Sequence, residues 1–311
     1  MKKTLVAIAA VVATTGAMAD ATITGIMEAS VASTSTGLAA GAGTNGGSEF
    51  TISASEDVVN GMKVFGQTTF LYNPNSTGVA YAGNDTKVGS NVSTLTATAK
   101  STASYQNWIG MSGEFGAIKY GQFWSNTFLT STIGDPTGRS AFSNYLAGGS
   151  IGQVANALNY TTPTFSGVTV NYQKSMDATV DANQYTSYSV GYSNGDLNAS
   201  VAGGVLGVSS SNTAETLFAA NYNFGVATVY FSSTNATTTG SSAVTTSGFG
   251  VAVPFGAMTL SLGSSKSSTV DNYQALLNYD LSKRSRVYLH TANGTTTSHL
   301  ITTQVGIRHN F

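Results

Sequence analysis

The stretch FAANYNF, Phe218–Phe224, decides the fold. Phe218, Ala220, Tyr222 and Phe224 fall on one side of an extended chain, with Ala219, Asn221 and Asn223 on the other. Successive side chains of a strand point to opposite faces, so this period of two reads as a β-strand with one apolar and one hydrogen-bonding face. The same pattern recurs in both directions along the chain. Tyr273, Ala275, Leu277 and Tyr279 oppose Gln274, Leu276 and Asn278, while Val168, Val170 and Tyr172 oppose Thr169, Asn171 and Gln173. Tyr188, Val190 and Tyr192 alternate with Ser189 and Gly191, and Met258, Leu260 and Leu262 with Thr259 and Ser261.

Two sorts of connection separate these runs. Ser55 to Gly61, Ser112 to Gly116, Pro163 to Gly167, Asn194-Gly195, Phe224-Gly225, Pro254 to Gly256 and Asp280 to Arg284 are short and carry the Gly, Pro, Asn or Asp chemistry of tight reversals. Ser33 to Gly47, Asn73 to Ser101 and Trp124 to Ala155 are longer and rich in Ser, Thr, Gly and Asn. Short turns on one rim and long loops on the other is the asymmetry of transmembrane barrels. Seven turns and eight loops predict sixteen strands. The 311 residues less a 19-residue leader leave 292, enough for strands of about 10 residues each. No segment of useful length has a helical period, and a single domain is expected over 20–311.

The leader is read from the first residues. Lys2 and Lys3 precede an apolar stretch from Leu5 to Val12 and the small-residue triplet Ala17-Met18-Ala19, which predicts a secretory signal peptide over 1–19, cleaved after Ala19. Export makes the absence of cysteine informative: no disulfide framework and no thiol nucleophile exist. Without Lys2 and Lys3 the chain keeps 11 basic against 14 acidic residues, which offers no basic field for nucleic acid.

Only 9% of residues are charged while 41% are hydrophobic, against about 25% charged in ordinary soluble domains. After the leader no run of about twenty apolar residues could cross a bilayer as a helix. In hydrocarbon every backbone N–H and C=O must be paired, so a sheet can span only by closing on itself. The expected fold is therefore all-β: a transmembrane antiparallel β-barrel in contact with membrane lipid. Phe115, Tyr120, Tyr160, Phe165, Phe224 and Phe255 sit next to turns, where aromatic girdles meet the headgroups.

The final strand is the sharpest local signal. Thr303, Val305, Ile307, His309 and Phe311 share one face, and the chain stops on the aromatic. Such a strand needs a partner, and the first strand supplies one, with Ile23, Gly25, Met27, Ala29 and Val31 alternating against Thr22, Thr24, Ile26, Glu28 and Ser30. This terminal strand is also the candidate signal for an outer-membrane assembly machinery.

At SEFTISASEDVVNGMKVFGQ (48–67), WIGMSGEFGAIKYGQ (108–122), NALNYTTPTFSGVTV (156–170), NYDLSKRSRVY (278–288) and VGIRHNF (305–311), the chain resembles the general porins of Gram-negative bacteria, especially those of β-proteobacteria. The resemblance implies a sixteen-stranded barrel in the outer membrane, assembled as a homotrimer, whose third external loop folds into the lumen as a constriction. It implies passive diffusion of small polar solutes and ions and no catalysis. Such porins commonly line one wall with arginines, but the matching positions here hold Ser53, Tyr105, Gln122 and Asn159, all uncharged. The pore-folded loop would lie within 124–155, where Asp135 and Arg139 are the charged residues; Lys119 and Glu49 are further candidates for the constriction. Weak ion selectivity is expected.

Two other classes stay open at this point. A β-rich surface adhesin built as a solenoid would show a fixed short repeat, and none is present. An outer-membrane barrel hydrolase would need a base and an orienter beside a serine, which spacing does not reveal. His290, His299 and His309 have no acidic partner at metal-ligand spacing, so neither metal nor cofactor is expected.

Overall fold

The computed structural model describes residues 20–34, 37–41, 48–72, 104–138, 152–176, 184–208, 211–267, 271–293 and 301–311. The expected leader, the loop Asn73 to Ser101, Arg139 and His299 lie outside them. The strands are β1 (Asp20–Thr34), β2 (Gly37–Gly41), β3 (Ser48–Asp57), β4 (Lys63–Tyr72), β5 (Ser104–Gly113), β6 (Gly116–Trp124), β7 (Gln153–Thr161), β8 (Val168–Ser175) and β9 (Gln184–Asn194). They continue as β10 (Leu197–Val208), β11 (Ser211–Asn223), β12 (Thr228–Thr238), β13 (Val244–Phe255), β14 (Met258–Lys266), β15 (Asp271–Asp280), β16 (Ser285–Asn293) and β17 (Ile301–Asn310).

All pairings are antiparallel, and the sheet closes where β17 meets β1 in a register running from Ile26 opposite Asn310 to Ser33 opposite Thr303. The expected closure of the last strand on the first is thus observed. β2 and β3 occupy one strand position between them: β2 pairs with Ser30–Thr34 of β1 and β3 with Asp20–Ile26. Seventeen segments therefore make a sixteen-stranded barrel. Glu28 falls in the gap, and the Ser48 hydroxyl fills the missing rung by accepting from the Glu28 N–H at 2.8 Å and donating to its carbonyl at 3.1 Å.

The two faces sort as the alternation demands. On β11, Phe218 and Tyr222 are 44% and 42% exposed on the outer face, whereas Leu217 and Ala219 are buried inside. Ile23, Met27 and Val31 on β1, and Val305 and Ile307 on β17, likewise point outward. Polar side chains dominate the buried set, among them Ser30, Thr69, Gln173, Ser187, Asn272 and Gln304. Apolar outside and hydrogen-bonding inside reverses a soluble core and suits a wall between lipid and water.

The seven short turns fall where the sequence places them. One shows why glycine is needed: Gly116 has φ +100°, and a Cβ there would run into the Thr161 carbonyl of β7. A helix, α1 (Asn126–Ile133), stands within the segment read as a long loop. Its eight residues are too short to display a period, and three are threonines of low intrinsic preference, so packing rather than propensity sustains it. Among the described residues no helix is long and apolar enough to cross a membrane.

Candidate pore constriction

The loop after β6 turns into the barrel. At its root the Ser125 N–H donates to the Gly152 carbonyl at 2.8 Å, and the Ser125 hydroxyl caps α1 by accepting from the Phe128 N–H at 3.0 Å. The rings of Trp124 and Phe128 stack with centroids 4.1 Å apart.

From there α1 is fastened to the inner wall rung by rung. Gln173 on β8 holds its start: its Oε1 accepts from the Asn126 N–H at 2.8 Å, and its Nε2 donates to the Trp124 carbonyl at 3.0 Å. The Ser187 hydroxyl of β9 donates to the same Oε1 at 3.1 Å. Thr127 meets the Tyr185 hydroxyl of β9 at 3.1 Å, Thr130 meets Ser200 of β10 at 2.9 Å, and Asn221 of β11 donates to the Ile133 carbonyl at 2.8 Å. The last bond satisfies a helix-end carbonyl that otherwise has no partner.

Glycines let the helix approach. A Cβ on Gly204 would stand 3.1 Å from Thr127 Cγ2, and one on Gly134 would stand 2.7 Å from the Phe231 carbonyl of β12. With Asn126, Thr127, Thr130 and Ser131 turned to the wall, Leu129 is left facing the lumen, 46% exposed.

The residues singled out from sequence are distributed unevenly. Asp135 follows α1 near β12 and is only 5% exposed; its Oδ1 accepts from the Thr137 N–H at 2.8 Å and hydroxyl at 2.7 Å. Its carboxylate therefore organises a turn. Lys119 and Asn159 are directly opposite on β6 and β7, and Asn159 is opposite Gln173, so all three share the inner face. Asn159 donates to the Thr161 hydroxyl at 3.0 Å. Ser53 faces Gln67 across β3 and β4, and Glu49 lies higher on β3 opposite Ile26. Gln122 stands at a register shift between β6 and β7 and donates to Gln153 Oε1 at 3.1 Å, while Tyr105 sits at the register shift between β4 and β5.

Several inner-wall residues escaped the sequence reading. Gln173, Tyr185 and Leu129 shape the loop, and Glu28, Arg308 and Arg286 are successive register partners across β1, β17 and β16. Extending the alternation of β17 inward from Ile307 would have found Arg308. Trp108 and Phe65 also face inward and pack edge to face at 5.6 Å, so the wall is not purely Ser, Thr, Asn and Gln. Three ion pairs occur among the described residues, Lys63–Asp57, Lys266–Asp271 and Arg286–Asp280, all partly exposed at strand ends and worth little.

No cluster of three or more His, Asp or Glu among the described residues could hold a metal ion. Ser285 and His309 are in contact at 2.8 Å between Oγ and Nδ1, beside the turn joining β15 to β16. A hydrolytic triad needs a carboxylate or amide to orient the imidazole, and none is in contact with His309 among the described residues.

Comparison with known proteins agrees with this architecture. The anion-selective porin from Comamonas acidovorans superimposes with a TM-score of 0.71 at 21% identity, over 94% of this chain and 100% of that one. OmpF of Salmonella typhi, in complex with daunomycin, superimposes with 0.71 at 12% identity, over 94% and 97% of the two chains. OmpT of Vibrio cholerae in its trimer form gives 0.66 at 13% identity, over 94% and 99%. No curated protein matches the sequence significantly. The sequence profile of the Gram-negative porins matches residues 6–299, nearly the whole chain, which therefore belongs to that family of channel-forming outer-membrane barrels.

Proposed function

We propose that this porin passes small hydrophilic solutes and ions by passive diffusion with weak ion selectivity, works as a homotrimer and catalyses no reaction. The observation that carries the reading is α1, bonded along the inner faces of β8 to β11, where it takes up lumen that the sixteen strands enclose. The uncharged Ser53 on β3 and Asn159 on β7 support weak selectivity. Asp135 and Arg139 belong to the constriction in this reading, with Lys119 on β6 and Glu49 on β3 as further members. The residues 1–19 act as a cleaved leader, and the strand ending at Phe311 is recognised during assembly. OmpT of Vibrio cholerae in its trimer form offers the precedent for the oligomer.

Planar-bilayer recording of the refolded protein tests these points together. Conductance steps in groups of three and a small reversal potential in a salt gradient are expected; a strong anion or cation preference would contradict weak selectivity. A lipase assay on the same preparation separates the channel from a barrel hydrolase.

A further inference from the structure

The geometry points to Lys119 as the residue that gives this channel its residual preference for small monoanions, chloride and carboxylates alike. The inference rests on the diffusion-channel reading and names the contact that biases it.

The Lys119 ammonium lies over the Trp108 ring at 4.5 Å from its centroid and near the Phe65 ring at 5.9 Å. Both rings line the inner wall, and Trp108 in turn packs against the buried cluster of Phe123, Val154, Ala157, Tyr185 and Leu206 beneath the constricting loop. Gly110, opposite Lys119 in register, leaves the space: a Cβ there would stand 3.1 Å from Lys119 Cγ and 3.3 Å from Phe65 Cζ. The lysine is thereby held by ring faces, which attract a cation without neutralising its charge.

Asp57 answers Lys63, Asp271 answers Lys266 and Asp280 answers Arg286, but no carboxylate lies within ion-pair distance of Lys119 among the described residues. Of the carboxylates carried by the barrel interior, Glu28, Glu215 and Asp135 are almost wholly buried, whereas Lys119 and Glu49, the latter on β3, are half-buried. Along the rung of Lys119 stand neutral Asn159 and then Gln173, which pins the start of α1. On this rung of the inner wall a solute thus meets the Lys119 charge beside neutral Asn159 and Gln173, and fixed charges lining a channel set selectivity.

The test compares reversal potentials of wild type, Lys119→Gln, Lys119→Arg and Lys174→Gln in planar bilayers under a potassium chloride gradient, repeated with potassium acetate. Lys174 is an outer-face control on β8. Lys119→Gln is expected to lose the anion preference while still forming channels, Lys119→Arg to keep it, and Lys174→Gln to match wild type. The difference should fade as salt rises and the screening length falls from about 10 Å at 0.1 M to about 3 Å at 1 M. Lys119→Met, which keeps an apolar stem against the rings, serves if the Gln variant does not fold. Failure of wild type to form channels would sink the diffusion reading; channels whose reversal potential ignores Lys119, or shifts equally with Lys174→Gln, would sink this proposal alone.

Discussion

Gly25 and Phe311 exchange both backbone hydrogen bonds, Gly25 N–H to the Phe311 carbonyl at 3.1 Å and Phe311 N–H to the Gly25 carbonyl at 3.0 Å, and the terminal ring lies over the glycine. The final residue of the chain is therefore a rung of the closing seam. A Cβ on Gly25 would stand 2.5 Å from Phe311 Cζ and 2.5 Å from the Glu49 carbonyl. Gly25→Val should cost about 1–3 kcal/mol through overpacking at the seam. The measurement is the temperature at which the folded band shifts on a semi-native gel. An unchanged temperature would show that the seam does not depend on this fit.

Gln173 joins three elements through one amide, so Gln173→Ala leaves the Asn126 N–H and the Trp124 carbonyl without their partners. A buried group stranded in this way costs about 1–3 kcal/mol. The barrel should still fold, because its ladders are untouched, but α1 should detach locally. Larger and noisier single-channel currents are expected, and currents identical to wild type would argue that the other bonds suffice.

Leu129 is the apolar side chain that α1 turns to the lumen. Leu129→Ala should raise conductance by widening the passage, and Leu129→Asp should shift the reversal potential toward cations. If both leave the currents unchanged, the narrowest point lies elsewhere.

Asp135 spends its Oδ1 on the Thr137 turn, so its loss should act mainly by loosening the loop. Replacing Asp135 and Arg139 together with Ala should change conductance, and a double variant indistinguishable from wild type in both conductance and selectivity would remove these residues from the constriction.

The two faces of the wall should respond oppositely to charge. Phe218 sits mid-strand on the outside of β11, where a lysine costs about 2–4 kcal/mol near the bilayer midplane. Phe218→Lys should reduce folding yield into liposomes, while Ser189→Lys, on the inner face of β9, should fold and alter selectivity. Equal yields would mean that the assigned faces are wrong.

Much of this was legible in sequence because strand period two carries the face of every residue within a few positions. FAANYNF alone sorts Phe218 from Ala219, and the terminal aromatic strand announces its partner. What was hidden depends on contacts across the barrel. The segment NTFLTSTI is too short and too rich in threonine to advertise a helix; it becomes one because Ser125 caps it and Gln173, Tyr185, Ser200 and Asn221 receive it. The packing of Trp108 and Phe65 beside Lys119 likewise depends on the register of neighbouring strands. Asp135, expected as a candidate charge of the constriction, is buried and bonded to Thr137, which its position in the sequence alone does not show. The interruption between β2 and β3 leaves no compositional mark either.

That interruption has a consequence for how the first strand is paired. Because one serine hydroxyl stands in for the absent rung at Glu28, β3 keeps its alignment with the lower half of β1 independently of how β2 pairs with the upper half. The barrel thus contains a joint, where one stave is split into two pieces that are each fixed to the same neighbour.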